Sequence, residues 1–274
     1  MILKVFQISS FLPLSFLHKV GVIFGWAIFI FSSKYRTKFK QNIYQAGYHE
    51  LINKAIGESG KNIFELPFIW FAKKNRIKKY TTIQGWELVK KALDKKKGVI
   101  FLSPHLGSFE LIAQIISSRT PLTALYRPQR LKILEELIVK AREKKGLSMT
   151  PANSRGVRSL IKTLKKGGSI GLLPDQVPSN GEGLWANFFG KKAYTMTLTA
   201  KLCNLSNAQL ILTYAERLSG GKGFKIYFFD VNTKMYDSLE KQVKIINELM
   251  EQLIKKCPEQ YLWSYNRYKG QSIK

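Results

Sequence analysis

Hydrophobic and polar positions follow two rhythms along this chain. Residues 11–31, FLPLSFLHKVGVIFGWAIFIF, are apolar apart from a break at His18 and Lys19, and Val20–Phe31 is wholly apolar. At ~1.5 Å per residue the whole window is long enough for a ~30 Å hydrocarbon core, while the uninterrupted part is not. Residues 34–80 read as amphipathic helices with Phe64, Leu66, Phe68, Trp70 and Phe71 as an aromatic cluster. The rhythm then changes. Short apolar runs at Gly98–Ser103, Leu122–Tyr126 and Ser169–Leu173 predict buried strands. Helical spacing predicts helices over Gly107–Arg119, Leu131–Lys145, Ser154–Lys166, Thr195–Leu205 and Ser238–Lys256, with Ser154 as an N-cap and Gly167-Gly168 as a stop. Gln209–Arg217 and Phe224–Val231 predict strands joined by the turn SGGKG.

Strands alternating with helices predict an α/β fold: a mostly parallel central sheet flanked by helices, preceded by an apolar membrane-associating helix. The expected division is a membrane-associating segment over 1–33 and a catalytic domain over 34–274. Sites in such sheets form at the carboxyl ends of strands, which selects Ser103–Glu110, Tyr126–Pro128 and Pro174–Val177.

Composition narrows the function. An apolar share of 45% excludes disorder along the whole length. Two cysteines and three histidines exclude a disulfide framework and a Cys/His zinc cluster, so no metal is expected. Lys and Arg number 45 against 18 acids, a net charge of +27, which implies an anionic partner. Two basic clusters, KKNRIKK at 73–79 and KKALDKKK at 90–97, carry part of it. Lys34, Arg36, Lys38 and Lys40 directly after the apolar run place the C-terminal bulk in the cytoplasm by the positive-inside rule. The run itself fits either a spanning helix or one lying in the interface. Charge alone would also suit a nucleic-acid binder, but no recognisable RRM, helix-turn-helix or zinc module is present, and nucleic acid is not the expected partner.

His105 directly follows the strand GVIFLS and Pro104, and Glu110 lies five residues on. A helix starting between them would let the Glu110 carboxylate reach one ring nitrogen, leaving the other as a general base. Gly107 would let a substrate approach the helix start, where the Gly107 and Ser108 amides are candidate oxyanion donors. Taken locally, a strand-capping His and a solvated Glu fit these residues equally well. The chain lacks GxSxG, Walker A, HExxH and GxGxxG patterns. A histidine base without a protein nucleophile suits direct transfer of an activated acyl group to a substrate hydroxyl.

Five motifs in register, SPHLGSFE (103–110), LYRP (125–128), LLPDQ (172–176), NFFGKKAYTMTLTAKL (187–202) and PEQYLWSYNRYK (258–269), resemble the lipid A biosynthesis lauroyl/myristoyl acyltransferases of the lysophospholipid acyltransferase-like superfamily. The resemblance runs over nearly the whole chain. It implies an inner-membrane enzyme facing the cytoplasm that needs no cofactor. The enzyme would take an acyl chain from acyl carrier protein, or from coenzyme A, to a phosphorylated lipid acceptor, with another glycolipid or lysophospholipid as the alternative acceptor. It implies His105 and Glu110 as the catalytic pair, with Arg142 and Asp175 at the substrate. Arg127 would face a phosphate or stand behind the reacting groups, and Trp185, Phe188 and Phe189 would line an acyl groove or else belong to the core. Ser108-Phe109 stand where many members have Asn-Trp, and Tyr265 where the tail commonly has histidine.

Overall fold

The computed structural model describes residues 2–128, 132–143, 146–231 and 238–270. Six helices come first: α1 (Ile2–Ser9), α2 (Leu14–Phe31), α3 (Ser33–Gln45), α4 (Ile52–Phe64), α5 (Leu66–Phe71) and α6 (Lys74–Lys79). The α/β part then runs β1 (Thr81–Gln84), α7 (Trp86–Asp94), β2 (Val99–Leu102), α8 (Phe109–Ser117), β3 (Leu122–Tyr126), α9 (Lys132–Arg142), β4 (Leu147–Pro151), α10 (Ser154–Lys165) and β5 (Ser169–Leu172). It closes with the hairpin β6 (Gly183–Phe188) and β7 (Lys191–Met196), then α11 (Leu198–Ser206), β8 (Gln209–Arg217), β9 (Phe224–Asp230) and α12 (Leu239–Ile254).

Seven strands form one sheet in the order β1-β9-β8-β2-β5-β3-β4. Every pairing is parallel except β8 with β9, joined by the expected Gly-rich turn. The predicted α/β class is therefore the observed one. β2 is buried at every position, as its unbroken apolar run requires in a sheet covered on both faces. Alternate residues of the strands feed two cores: Ile100, Leu102 and Ile170 join α10 and α12 on one face, and Val99, Phe101 and Leu122 join α8 on the other.

Several expectations need correcting. The N-cap of α10 is Asn153, whose side chain accepts from the Arg155 and Gly156 amides, one residue earlier than expected. Thr195 and Met196 end β7 rather than begin a helix. The predicted helix over Leu131–Lys145 is seen as α9, and Leu131, Lys144 and Lys145 lie outside the described residues. The hydrophobic pattern does not predict the edge strands β1 and β4 or the β6–β7 hairpin.

α2 packs closely along α4. A Cβ on Gly60 would lie 1.9 Å from the Gly21 carbonyl oxygen, and one on Gly25 would lie 2.4 Å from that of Ile56. Glycines four apart on one helix thus let two backbones touch. His18, which breaks the apolar run, points inward: its Nε2 lies 3.2 Å from Glu65 Oε2. Arg217 of β8 donates to both Glu65 oxygens at 2.6 and 2.7 Å and to Glu58 Oε2 at 2.7 Å. Burial works against the Glu65 charge, but Arg217 and His18 outweigh it and hold the carboxyl down at about 2. The outward side of α1, α2 and the link between them is greasy, with Ile8, Phe11, Phe16, Ile23 and Phe31 exposed by half or more.

Candidate active site

β2 delivers His105 to the carboxyl edge of the sheet. The loop is pinned by main-chain bonds: Gly107 N–H donates to the Gln260 carbonyl at 3.0 Å, Ser108 N–H to Ala215 at 2.8 Å, and Leu262 N–H to the His105 carbonyl at 3.1 Å. A tail segment beginning at Pro258 therefore forms one wall. Gln260 joins its side-chain amide to both main-chain groups of Arg217, and Asn42 of α3 donates to the carbonyls of Trp263 and Tyr265 at 2.6 Å each.

The carboxylate on the ring is Asp175, just beyond β5. Its Oδ1 lies 2.8 Å from His105 Nδ1, and its Oδ2 accepts the His105 main-chain N–H at 2.9 Å. Gripping both groups fixes the imidazole's orientation. Asp175 is 2% exposed, and that burial disfavours its charge. The His105 interactions, helped by buried Arg267, outweigh the burial and hold Asp175 below its ordinary value. With Nδ1–H given to Asp175, Nε2 carries the lone pair, 3.2 Å from the Gln176 amide nitrogen.

The expected pairing of His105 with Glu110 is replaced by this one. Glu110 lies in the first turn of α8, as expected, but its partners are Arg142 and Trp70. Arg142 Nε donates to Oε2 at 2.9 Å, Arg142 Nη2 donates to Oε1, and the Trp70 indole donates to Oε2 at 3.2 Å. The bidentate geometry is the strong form of an Arg–carboxylate pair. Asp175, expected at the substrate, instead holds the histidine.

A cavity of about 970 Å³ opens here, lined by His105, Glu110, Arg127, Arg142 and Gln176 among others. Arg127 is exposed at the end of β3. Gly107 does not line the cavity. Its φ is +58°, and a Cβ there would lie 1.9 Å from the Ala215 carbonyl oxygen, so the glycine serves contact with β8 rather than a substrate. The Gly107 and Ser108 amides are both taken by carbonyls, which removes the expected oxyanion donors.

Trp185, Phe188 and Phe189 do not line the cavity either. Trp185 is 45% exposed on β6, Phe188 is buried beside Tyr261 under the Arg267 guanidinium, and Phe189 packs on Trp263. They brace the tail. The sequence pattern assigns no role to Gln176, Trp70 or Arg267. Gln176 and Arg267 stand inside the conspicuous strings LLPDQ and PEQYLWSYNRYK, the available signal. Tyr265, for its part, accepts the Val177 N–H at 3.0 Å and ties the tail to the Asp175 loop.

A mostly parallel sheet thus carries a His–Asp pair at its carboxyl edge beside a cleft, the place where sites form in such sheets. The family model for bacterial lipid A biosynthesis acyltransferases matches residues 1–270, and the chain belongs to that family and is an acyltransferase. It is 27% identical over 216 residues to the lipid A biosynthesis palmitoleoyltransferase of Escherichia coli K12, covering 78% of this chain and 70% of that protein. The lauroyltransferase of the same organism is 26% identical over 222 residues, covering 80% and 72%. A lipid A biosynthesis acyltransferase of Haemophilus influenzae is 24% identical over 256 residues, covering 89% and 78%.

Proposed function

We propose that the protein transfers a fatty acyl chain from the thioester of acyl carrier protein to a hydroxyl of a lipid A precursor, at the cytoplasmic face of the inner membrane. The observation that carries this reading is the His105–Asp175 pair, with Nε2 turned toward the cavity. His105 Nε2 takes the proton of the acceptor hydroxyl as its oxygen bonds to the thioester carbonyl carbon. Asp175 stabilises the imidazolium that forms. The C–S bond then breaks, and the imidazolium returns the proton to the leaving thiolate. Gln176, displaced from Nε2 by the hydroxyl, supplies an amide donor for the oxyanion. Arg142, fixed by Glu110, and exposed Arg127 offer positive charge to an acceptor phosphate. The net charge of +27 suits an acidic carrier protein and an anionic leaflet.

Deletion of the gene is expected to remove one acyl chain from lipid A, read by mass spectrometry of extracted lipids. An unchanged lipid A with an altered phospholipid overturns the acceptor assignment.

The packing of α2 supports an interfacial helix rather than a spanning one. Its inward face is fastened to α4, which carries Lys54, Glu58, Lys61 and Asn62 and would have to enter the hydrocarbon with it. Its outward apolar face and the basic flank from Lys34 to Lys40 fit the boundary of an anionic leaflet. Cysteines at Gln7 and Thr37, both exposed, should then react with an impermeant maleimide from the cytoplasmic side alone. Labelling of Gln7→Cys from the periplasm overturns the interfacial placement.

A further inference from the structure

The cavity at His105 reaches both faces of the sheet, and we infer that the part under α8 holds the acyl chain, with Gly171 determining how long a chain fits. This rests on the acyl-transfer reading and adds a residue-level account of donor selection.

Strand alternation separates the two parts. Phe101, Leu122, Ala124, Leu147 and Met149 pack in one core with Ile112 and Ile116 of α8. Leu125, Leu172 and Leu198 pack in the other with Leu160 and Leu164 of α10. All of these except Leu160 and Leu164 line the cavity. On the α10 side the rim carries Asn153, Arg158, Lys201 and, beside Thr197, Glu182, all exposed, a wet surface whose cations Arg158 and Lys201 suit a phosphorylated headgroup. On the α8 side, the charged cavity-lining residues among those described are Glu110 and Arg142, paired with each other near His105. Beyond that pair the walls are mainly aliphatic, the surface an acyl chain seeks.

Gly171 sits in the middle of β5, in register with Phe101 of β2 on one side and Ala124 of β3 on the other. A glycine in a central strand costs backbone entropy and packs nothing. Its φ is outside the left-handed region, so the backbone does not require glycine. A Cβ built there meets Leu122 alone, at ordinary contact of 3.8 Å. The missing side chain is therefore empty space inside the sheet face, between Phe101 and Ala124 and above Leu122. From Leu122 to Leu125 the strand rises about 10 Å at ~3.3 Å per residue, which gives the depth of the groove below the carboxyl edge. A chain entering past Glu110–Arg142 with its carbonyl at His105 must pass Gly171 to reach Leu122 and Leu147.

The test uses the full-length protein and two readouts. Isothermal titration with saturated free fatty acids of graded length reads binding without turnover. Transfer from acyl carrier protein thioesters of the same lengths reads kcat/KM. Gly171→Val is expected to weaken the longest bound chains about 10-fold or more, the usual penalty for lost methylene room, and to move the preferred donor at least two carbons shorter. Gly171→Ala should shift it the same way by less, and Leu122→Ala the opposite way. Val157→Phe, on the α10 side of the cavity, should leave the chain-length order unchanged. An unaltered length profile in folded Gly171→Val, or a shortening caused by Val157→Phe instead, overturns the inference. If the fatty-acid profile shifts as expected but no donor thioester is turned over by the native protein, the reaction assignment fails and the chain site stands.

Discussion

The His105→Ala enzyme is expected to lose acyl transfer by about 10²- to 10⁴-fold in kcat, the range contributed by a positioned general base. Asp175→Asn should approach the same loss with little change in KM, because it removes the charge that stabilises the imidazolium and unsettles the grip on Nδ1 and the main-chain N–H. Glu110→Gln should act differently. It weakens a bidentate ion pair with Arg142, so its effect and that of Arg142→Gln should resemble each other and fail to add in the double variant. Steady-state kinetics on the four single variants and the double variant separates these patterns. An active Asp175→Asn enzyme beside a dead Glu110→Gln enzyme would return the orienting role to Glu110, where the sequence motif first placed it.

Arg217→Ala should cost about 3–5 kcal/mol of stability, the typical loss when one partner leaves a buried ion pair. It leaves Glu65, 0% exposed, with His18 alone and Glu58, 6% exposed, with Lys61 alone among their charged partners, and loosens the attachment of α2 through His18. Denaturant unfolding in detergent measures it. The same cluster gives a pH signature. The Glu65 carboxyl is lowered from 4.5 to about 2, so the folded form holds fewer protons there than the unfolded chain. That stability is present above pH ~4.5 and is lost as pH falls toward 2, on the order of 3 kcal/mol in all. Glu65→Gln should flatten this acid limb. An Arg217→Ala protein as stable as the native one would mean that water reaches the carboxylates.

What could be read from the sequence divides by range. β2, β3, β5, β8 and β9 are legible because each carries a mainly apolar stretch, unbroken and buried at every position in β2 and interrupted by polar residues in the others. β1, TTIQ, alternates half-buried with exposed positions over four residues at a sheet edge, too short to stand out. β4, LSMTP, also lies at an edge and ends in proline, a residue tolerated there because an outer strand need not donate every N–H. GLWANF and KKAYTM form their own small hairpin outside the main sheet, and their aromatics read as groove lining when they brace the tail. His105 was legible from its place after a buried strand. Its carboxylate was not, because Asp175 is 70 residues away and arrives only through the β2–β5 pairing, while Glu110 was conspicuous by its nearness in the chain.

The tail contact has a consequence for biosynthesis. The hydrogen bond from Leu262 to His105 and the wedge of Gln260 beside Gly107 mean that the reactive loop gains its last struts from residues translated some 150 positions after it. On the proposed interfacial placement of α2, the greasy leading helices of a ribosome-bound chain would lie against lipid while its histidine loop still lacks this buttress, so the growing polypeptide would reach its workplace before it could work.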